Sequence, residues 1–385
     1  MNNFIFENKT KVYFGKGGVK EYLGCLLKKY GETVMLAYGG GSIKRNGVYE
    51  EVTEILRAQN KRVVEFFGIM PNPTYAKVQE GAKLAKENHV DLILAVGGGS
   101  VSDCCKIISA QAKLDEDIWD MQTVKHNLPN EFIPLGTIVT VFGTGSEMNN
   151  GAVITHEEKK IKGALWGAQA DFAFLDPNYS MSVPFPQVIS GAFDTLSHAM
   201  ETYFGKPEEN NLSDDINEAV MRSVIRNIRV LMADHENYNA RSELAWASAM
   251  AENSILKIGK ITDFQCHMLE HQLGAYTNCN HGAGLAVIHP VLYRHIYSSG
   301  VQRFARFAQN VWGIAPNGTE KATALAGIEA LAAFIKEIGL PTTFADMHIP
   351  ANTDFRAIAD STVLTAGCCK KLTHDELYDI LMECR

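Results

Sequence analysis

Residues 91–112 read DLILAVGGGSVSDCCKIISAQA. The apolar run LILAV has the length and composition of a buried strand, predicted over 91–96, and residues 101–112 carry apolar side chains at helical spacing. Between the two stand Gly97, Gly98, Gly99 and Ser100. Glycines let a ligand approach the backbone, and a helix starting beside them offers unpaired amides and the positive end of its dipole, which suits a phosphate. Asp103, in the first helical turn, suits the dipole but would repel a phosphate. It is therefore expected to face another part of a ligand, such as a ribose or a reacting centre. The spacing is not GxGxxG, and a tight strand-to-helix turn without a ligand would use the same residues.

Outward from this stretch, short β-rich runs alternate with helical patterns. Strands are predicted at residues 11–14, 33–37, 62–67, 133–141 and 151–155, and helices at 19–29, 48–58 and 75–88. Alternation of this kind means crossover units and a largely parallel, helix-covered sheet, whose ligands bind at the carboxyl ends of the strands. A second glycine turn, Gly39, Gly40, Gly41 and Ser42, ends the run VMLAY and is followed by Lys44 and Arg45. With cations and a hydroxyl there, and no acid to hold ribose hydroxyls, the turn favours NADP(H) over NAD(H). The stretch TIVTVFGTGSE at 137–147 runs a strand out into Thr140, Thr144 and Ser146, side chains able to contact a long cofactor. Lys162 could add a charge for its phosphates.

Three prolines between Pro177 and Pro186 mark the expected boundary between domains 1–183 and 184–385. Beyond them the chain is helical in period, with helices predicted at 216–232, 241–257, 285–297, 301–309, 320–338 and 374–382, and a capping box of Thr373 and Glu376 for the last. A formal charge of -8 and the lack of a dense Lys/Arg run argue against a nucleic-acid partner. Neither a signal-like N-terminus nor a membrane-length apolar segment is present, so a cytoplasmic location is expected. The eight cysteines form no CxxC, which excludes a zinc ribbon or thioredoxin-like site.

The helical half also carries the candidate metal chemistry. In residues 263–284, DFQCHMLEHQLGAYTNCNHGAG, His267 and His271 share one face of a predicted helix capped by Thr262 and Asp263. His281 follows in a turn predicted from Asn278, Asn280 and Gly282. Asp194 and His198 share a face in the same way, with Glu201 one turn further on. One carboxylate and three imidazoles suit Zn(II) or Fe(II), while Glu201 has the position of a residue that supports a ligand. Histidines that only satisfy core hydrogen bonds would read the same way in isolation.

Taken in order, FGKGG at 14–18, YGGGS at 38–42, PNP at 71–73, AVGGGSVSDCCK at 95–106, GTGSE at 143–147, LDP at 175–177, GAFDTLSHAMETY at 191–203 and HMLEHQLGAYTNCNHGAGLA at 267–286 resemble the iron-containing, metal-dependent alcohol dehydrogenases, in particular their NADP-linked butanol dehydrogenase and aldehyde reductase branch. The resemblance spans essentially the whole chain. It implies a Rossmann-like α/β domain followed by an all-helical, dehydroquinate synthase-like domain, with the active site in the cleft between them. It further implies Asp194, His198, His267 and His281 as metal ligands, and His271 as a non-ligating histidine near substrate and nicotinamide. The substrates implied are short aliphatic alcohols and aldehydes, and the expected assembly is a homodimer. Phe142, standing where many relatives have a small residue, implies a narrower pocket. Two rivals use the same chain: His267, Glu270 and His271 match the HxxEH pattern of zinc metallopeptidases, with Glu270 as general base, and a lyase could share the superfold.

Overall fold

The computed structural model describes residues 1–316 and 318–385. It divides into two compact units, Glu7–Pro184 and Phe185–Arg385, the second including Met1–Phe6. The first unit runs β1 (Lys11–Phe14), α1 (Gly18–Leu27), β2 (Thr33–Tyr38), α2 (Ser42–Arg45), α3 (Val48–Ala58), β3 (Arg62–Phe66), α4 (Tyr75–Glu87), β4 (Leu92–Gly97), α5 (Gly99–Gln111), α6 (Ile118–Thr123), β5 (Leu135–Val139), β6 (Gly151–His156), β7 (Ile161–Trp166) and β8 (Phe172–Leu175). Six strands form one sheet in the order β1-β8-β5-β4-β2-β3, and every neighbouring pair is parallel. A separate antiparallel hairpin is made by β6 and β7.

The alternation of side chains along β2 and β4 builds two cores from the same strands. Val34, Leu36, Leu92 and Leu94 pack with Val19 and Leu23 of α1 and with Val52 and Leu56 of α3. Met35, Ala37, Ile93 and Ala95 face the other way, onto Val78 and Ala82 of α4 and Ile107 and Ile108 of α5. Strands buried on both faces read as continuous apolar runs, which is why LILAV and VMLAY announce themselves in the sequence. Both runs end in glycine turns at the carboxyl edge.

Some elements were not legible. The short run FAFL of β8 is fully buried between β1 and β5, yet four residues carry no period that distinguishes strand from helix. The hairpin strand β7 and the short α6 likewise go unread, and the strand predicted at 133–141 is confined to Leu135–Val139. Met1–Phe6 packs with the helical unit rather than with the domain that follows it in sequence. There the Asn2 amide donates to the Gly259 carbonyl at 3.1 Å.

The second unit consists of α7 (Phe185–Tyr203), α8 (Leu212–Ala233), α9 (Tyr238–Glu252), α10 (Gln265–Thr277), α11 (His281–Ile296), α12 (Val301–Asn310), α13 (Glu320–Glu337), α14 (Phe355–Ser361) and α15 (His374–Glu383). Their apolar faces close on one core that includes Phe193, Leu196 and Met200 of α7, Leu269 and Leu273 of α10, and Leu285, Ile288 and Tyr293 of α11. The capping box of Thr373 and Glu376 forms at the start of α15. Among the described residues, no helix is long and apolar enough to cross a membrane.

Candidate metal centre and coenzyme-binding turns

Three helices of the second unit bring one carboxylate and three imidazoles together. Asp194 Oδ1 lies 3.7 Å from His198 Nδ1, 3.6 Å from His267 Nε2 and 3.5 Å from His281 Nε2. Donor atoms of Asp194, His267 and His281 all fall within 4.8 Å of one another. His198 stands at the edge of this group, its ring stacked on that of His267 with centroids 4.5 Å apart. Asp194 Oδ1, His198 Nδ1 and His267 Nε2 are buried without a hydrogen-bond partner. Buried polar atoms are ordinarily satisfied, and here three of them face a common point, so the residues fit a divalent transition metal.

Two further carboxylates fix the orientation of the rings. Glu201, fully buried on α7, bonds His267 Nδ1 through one oxygen, and Glu270, fully buried on α10, does the same for His281 Nδ1. Each bond turns the opposite nitrogen, Nε2, towards Asp194, the arrangement that sets tautomer and direction in metal-binding histidines. Glu201 also accepts the Cys266 amide at 2.7 Å. It thereby satisfies the open amino end of α10. The sequence pointed to Thr262 and Asp263 for that cap; Phe264 occupies the cap position with φ 55° and makes no side-chain bond, while Asp263 Oδ1 accepts the Gln265 amide at 3.4 Å. The shorter bond of the cap comes from another helix, which no local pattern could reveal.

His281 also differs from its predicted setting in a turn. It is the first residue of α11, which Asn280 caps by accepting the Ala283 amide at 3.0 Å. Ser190 of α7 donates to that same Asn280 oxygen at 2.5 Å, and at Gly282 a Cβ would come within 2.3 Å of the Ser190 carbonyl. Glycine is what lets α7 and α11 approach closely enough to join Asp194 and His281.

Burial and neighbouring charge compete within the pocket, and at His198 burial wins and lowers the pKa. Burial would raise the Asp194 pKa, but His198, His281 and His267 outweigh it and keep the carboxyl well below its usual range. For His267, burial disfavours the charged ring, yet Glu201 and Asp194 push it up to about 10. His271 sits beside this group without joining the Asp194 set, its ring 6.0 Å from that of His267 and 5.4 Å from that of His281. Its nitrogen instead comes within 4.8 Å of donor atoms of Glu270 and His281. Glu270, which the peptidase reading needs as an accessible general base, is fully buried and bonded to His281.

In the first unit the glycine turn after β4 is closed by the loop after β5. A Cβ on Gly99 would meet Thr144 Oγ1 at 2.2 Å, so the loop packs directly on the turn. Ser146 Oγ donates to Asp103 Oδ1 at 2.5 Å and the Val153 amide to Asp103 Oδ2 at 2.8 Å. Asp103, expected to face a ligand, therefore ties α5 to the loop and to β6; both oxygens are engaged by protein donors. The Thr140 amide bonds the Gly97 carbonyl at 2.9 Å. Thr140, Ser146 and Lys162 are buried, while Thr144 is exposed and Gly97, Gly98 and Ser100 are half-buried.

The turn after β2 is more open. Nothing lies within 4 Å of a Cβ at Gly40 or Gly41, Ser42 is exposed, and Gly39 accepts the Gly68 amide at 3.1 Å from the segment after β3. The acid missing from the local sequence is supplied by β3. Glu65 Oε2 stands 3.8 Å from Lys44 Nζ, so this cation, expected to be available to a phosphate, already has a counter-charge.

Known proteins match along both units. Residues 9–177 match the family model "Iron-containing alcohol dehydrogenase", and residues 188–384 match "Fe-containing alcohol dehydrogenase family, C-terminal". The chain is 39% identical to the probable NADH-dependent butanol dehydrogenase 1 of Bacillus subtilis, with 99% of each chain covered. It is 34% identical to the NADPH-dependent aldehyde reductase YqhD of Escherichia coli, over 92% of this chain and 91% of that one. Among solved structures it is similar to the NADH-dependent butanol dehydrogenase A of Thermotoga maritima, at TM-score 0.94 and 33% identity, covering 100% of this chain and 99% of that one. The buried carboxylate and imidazoles, the glycine turns of a parallel sheet and matches along both units lead to one conclusion: the chain belongs to the iron-containing alcohol dehydrogenases and is an oxidoreductase of that family.

Proposed function

We propose that the protein is a metal-dependent, NADP(H)-linked alcohol dehydrogenase and aldehyde reductase acting on short aliphatic substrates, with Fe(II) or Zn(II) as its metal. The observation that carries this reading is the convergence of His198, His267 and His281 on Asp194 Oδ1, with Glu201 and Glu270 bonded to the far sides of two of the rings. Asp194, His198, His267 and His281 would hold the metal. Bound there, it would supply a Lewis acid for the substrate oxygen. Glu201 and Glu270 keep the Nε2 atoms of His267 and His281 directed at it. His271, nearby but outside the Asp194 set, would deliver the proton that the substrate oxygen takes up on reduction, and a bound nicotinamide would supply the hydride.

The coenzyme would lie on Gly39, Gly40, Gly41 and Ser42 at one end and on Gly97, Gly98, Gly99, Ser100, Thr140 and Thr144 along its length. Asp103 and Ser146 would hold that surface together, with the charge of Lys162 close by. The open Gly40 and Gly41, followed by Lys44 and Arg45, support NADP(H); relatives named for NADH and for NADPH make this a matter for measurement. The remaining readings are a cytoplasmic homodimer, which the exposed apolar Phe4, Ile5 and Phe6 support as an assembly, and a boundary near residue 183 between nucleotide-binding and metal-binding domains. Anaerobic loading with Fe(II) or Zn(II), followed by an assay of aldehyde-dependent NADPH and NADH oxidation, tests the function. Oxidation that depends on both metal and aldehyde is expected; its absence with either metal refutes the reading.

A further inference from the structure

The turn after β2 is bordered by a cluster that the proposed reaction leaves unused. Glu65, on β3, accepts the Tyr38 hydroxyl at 2.7 Å and also bonds the Tyr49 hydroxyl. The two phenol rings meet edge to face with centroids 5.7 Å apart. Lys44 Nζ lies 4.5 Å from the Tyr49 ring centre, 5.2 Å from that of Tyr38 and 3.8 Å from Glu65 Oε2. Neither charge is sealed away, since the side chains are 47% exposed for Lys44 and 38% for Glu65. The Gly68 amide bonded to Gly39 and the Ile69 amide bonded to Tyr38 hold the end of β3 alongside the glycine turn.

We propose that Glu65 sets the coenzyme preference of this enzyme, by holding Lys44 against the two tyrosines and offsetting its charge beside the Gly39–Ser42 turn. The inference rests on the reading of that turn as the adenosine-ribose end of the coenzyme site. A 2′-phosphate needs room and positive charge there, whereas ribose hydroxyls need neither. The backbone of Gly40 and Gly41 supplies the room. The charge depends on Lys44 and Arg45, and Glu65 cancels one of the two cations. The carboxylate of Glu65 is then the restraint on the NADPH preference that the open turn and Arg45 favour. Two phenol hydrogen bonds and the nearby ammonium keep that carboxyl below its usual pKa, so the restraint persists at neutral pH.

The test compares kcat/KM for NADPH and NADH, at saturating aldehyde, in metal-loaded native protein and in E65Q, K44M and S42D. Glutamine removes the charge at nearly the same shape, keeping an acceptor oxygen for one tyrosine and presenting its amide N–H to the hydroxyl oxygen of the other. E65Q is expected to raise the NADPH/NADH ratio about 3- to 10-fold, mainly through KM for NADPH, with the gain shrinking as ionic strength rises. K44M, which leaves Glu65 uncompensated, is expected to lower the ratio. S42D, which puts a carboxylate on the turn itself, is expected to lower it about 10-fold or more. If S42D responds and E65Q leaves the ratio unchanged at low salt, the role of Glu65 is overturned while the turn keeps its assignment. If S42D leaves the ratio unchanged, the turn is not the ribose site and both readings fall.

Discussion

The two candidate sites are built from different materials. In the helical unit the chemistry lies in side chains, a carboxylate and imidazoles brought together by three helices and steadied by Glu201 and Glu270. In the α/β unit it lies mostly in backbone, glycines at the ends of β2 and β4 that leave space or allow close packing. A side-chain site fails through the loss of one atom, whereas a backbone site fails when an added atom fills it. Substitutions in the two units should therefore fail differently.

The largest effect is expected at Asp194, on which the three imidazoles converge. D194N should lose bound metal and lower kcat on the order of 10³-fold while keeping the native circular dichroism. Full metal occupancy in that variant would remove the carboxylate from its central position. The next contrast lies in the α/β unit, where burial pushes Glu147 up to about 7. A carboxyl whose folded pKa is raised keeps its proton in the native state, so its contribution is complete below about pH 4.5 and is lost as pH rises through 7. E147Q should thus gain stability over native protein by about 3 kcal/mol more at pH 8 than at pH 4.5, read from unfolding midpoints at the two values. A gain that does not vary with pH would contradict this.

Glycine substitutions probe the backbone site itself. G99A forces a Cβ to within 2.2 Å of Thr144 Oγ1 and should cost about 1–3 kcal/mol in thermal stability. G40A meets nothing within 4 Å, so its stability should stay near native and any defect should appear in KM for the coenzyme. Equal loss of stability in both would mean that the two turns are alike. The smallest catalytic effects are expected from E201Q and E270Q, which retain a side chain able to hydrogen-bond but lose its charge. A 10- to 100-fold fall in metal affinity, measured by competition with a chelator, is the expected result. Unchanged affinity would make those carboxylates structural only.

The difference between the sites also explains what could be read from sequence. A glycine turn is contiguous, so LILAVGGGS shows strand, turn and helix start in a single stretch, and the doubly covered sheet follows from the apolar runs around it. The metal group shows only as fragments at helical spacing, Asp194 with His198 and His267 with His271. Asn280 is a local signal that His281 opens a helix, but sequence alone cannot say that Glu201 of α7 helps cap α10 while bonding His267, because those contacts join residues far apart in the chain. Spacing also pairs His267 with His271 as naturally as with His281. For the same reason Asp103 looked free to meet a ligand until Ser146 and Val153 were seen to hold it, and Lys44 looked unpaired until β3 brought Glu65 beside it. Buried β8 was missed because FAFL has no turn and no period to mark it.

The central proposal is that α10 carries one metal ligand, His267, and, four positions on, one residue that delivers a proton, His271. Metal content and turnover of H267A and H271A, both loaded with metal under identical anaerobic conditions, test it directly. The predicted result is that H267A loses metal and turnover together, while H271A keeps its metal and loses turnover alone. Loss of metal from H271A, or its retention in H267A, would contradict the assignment.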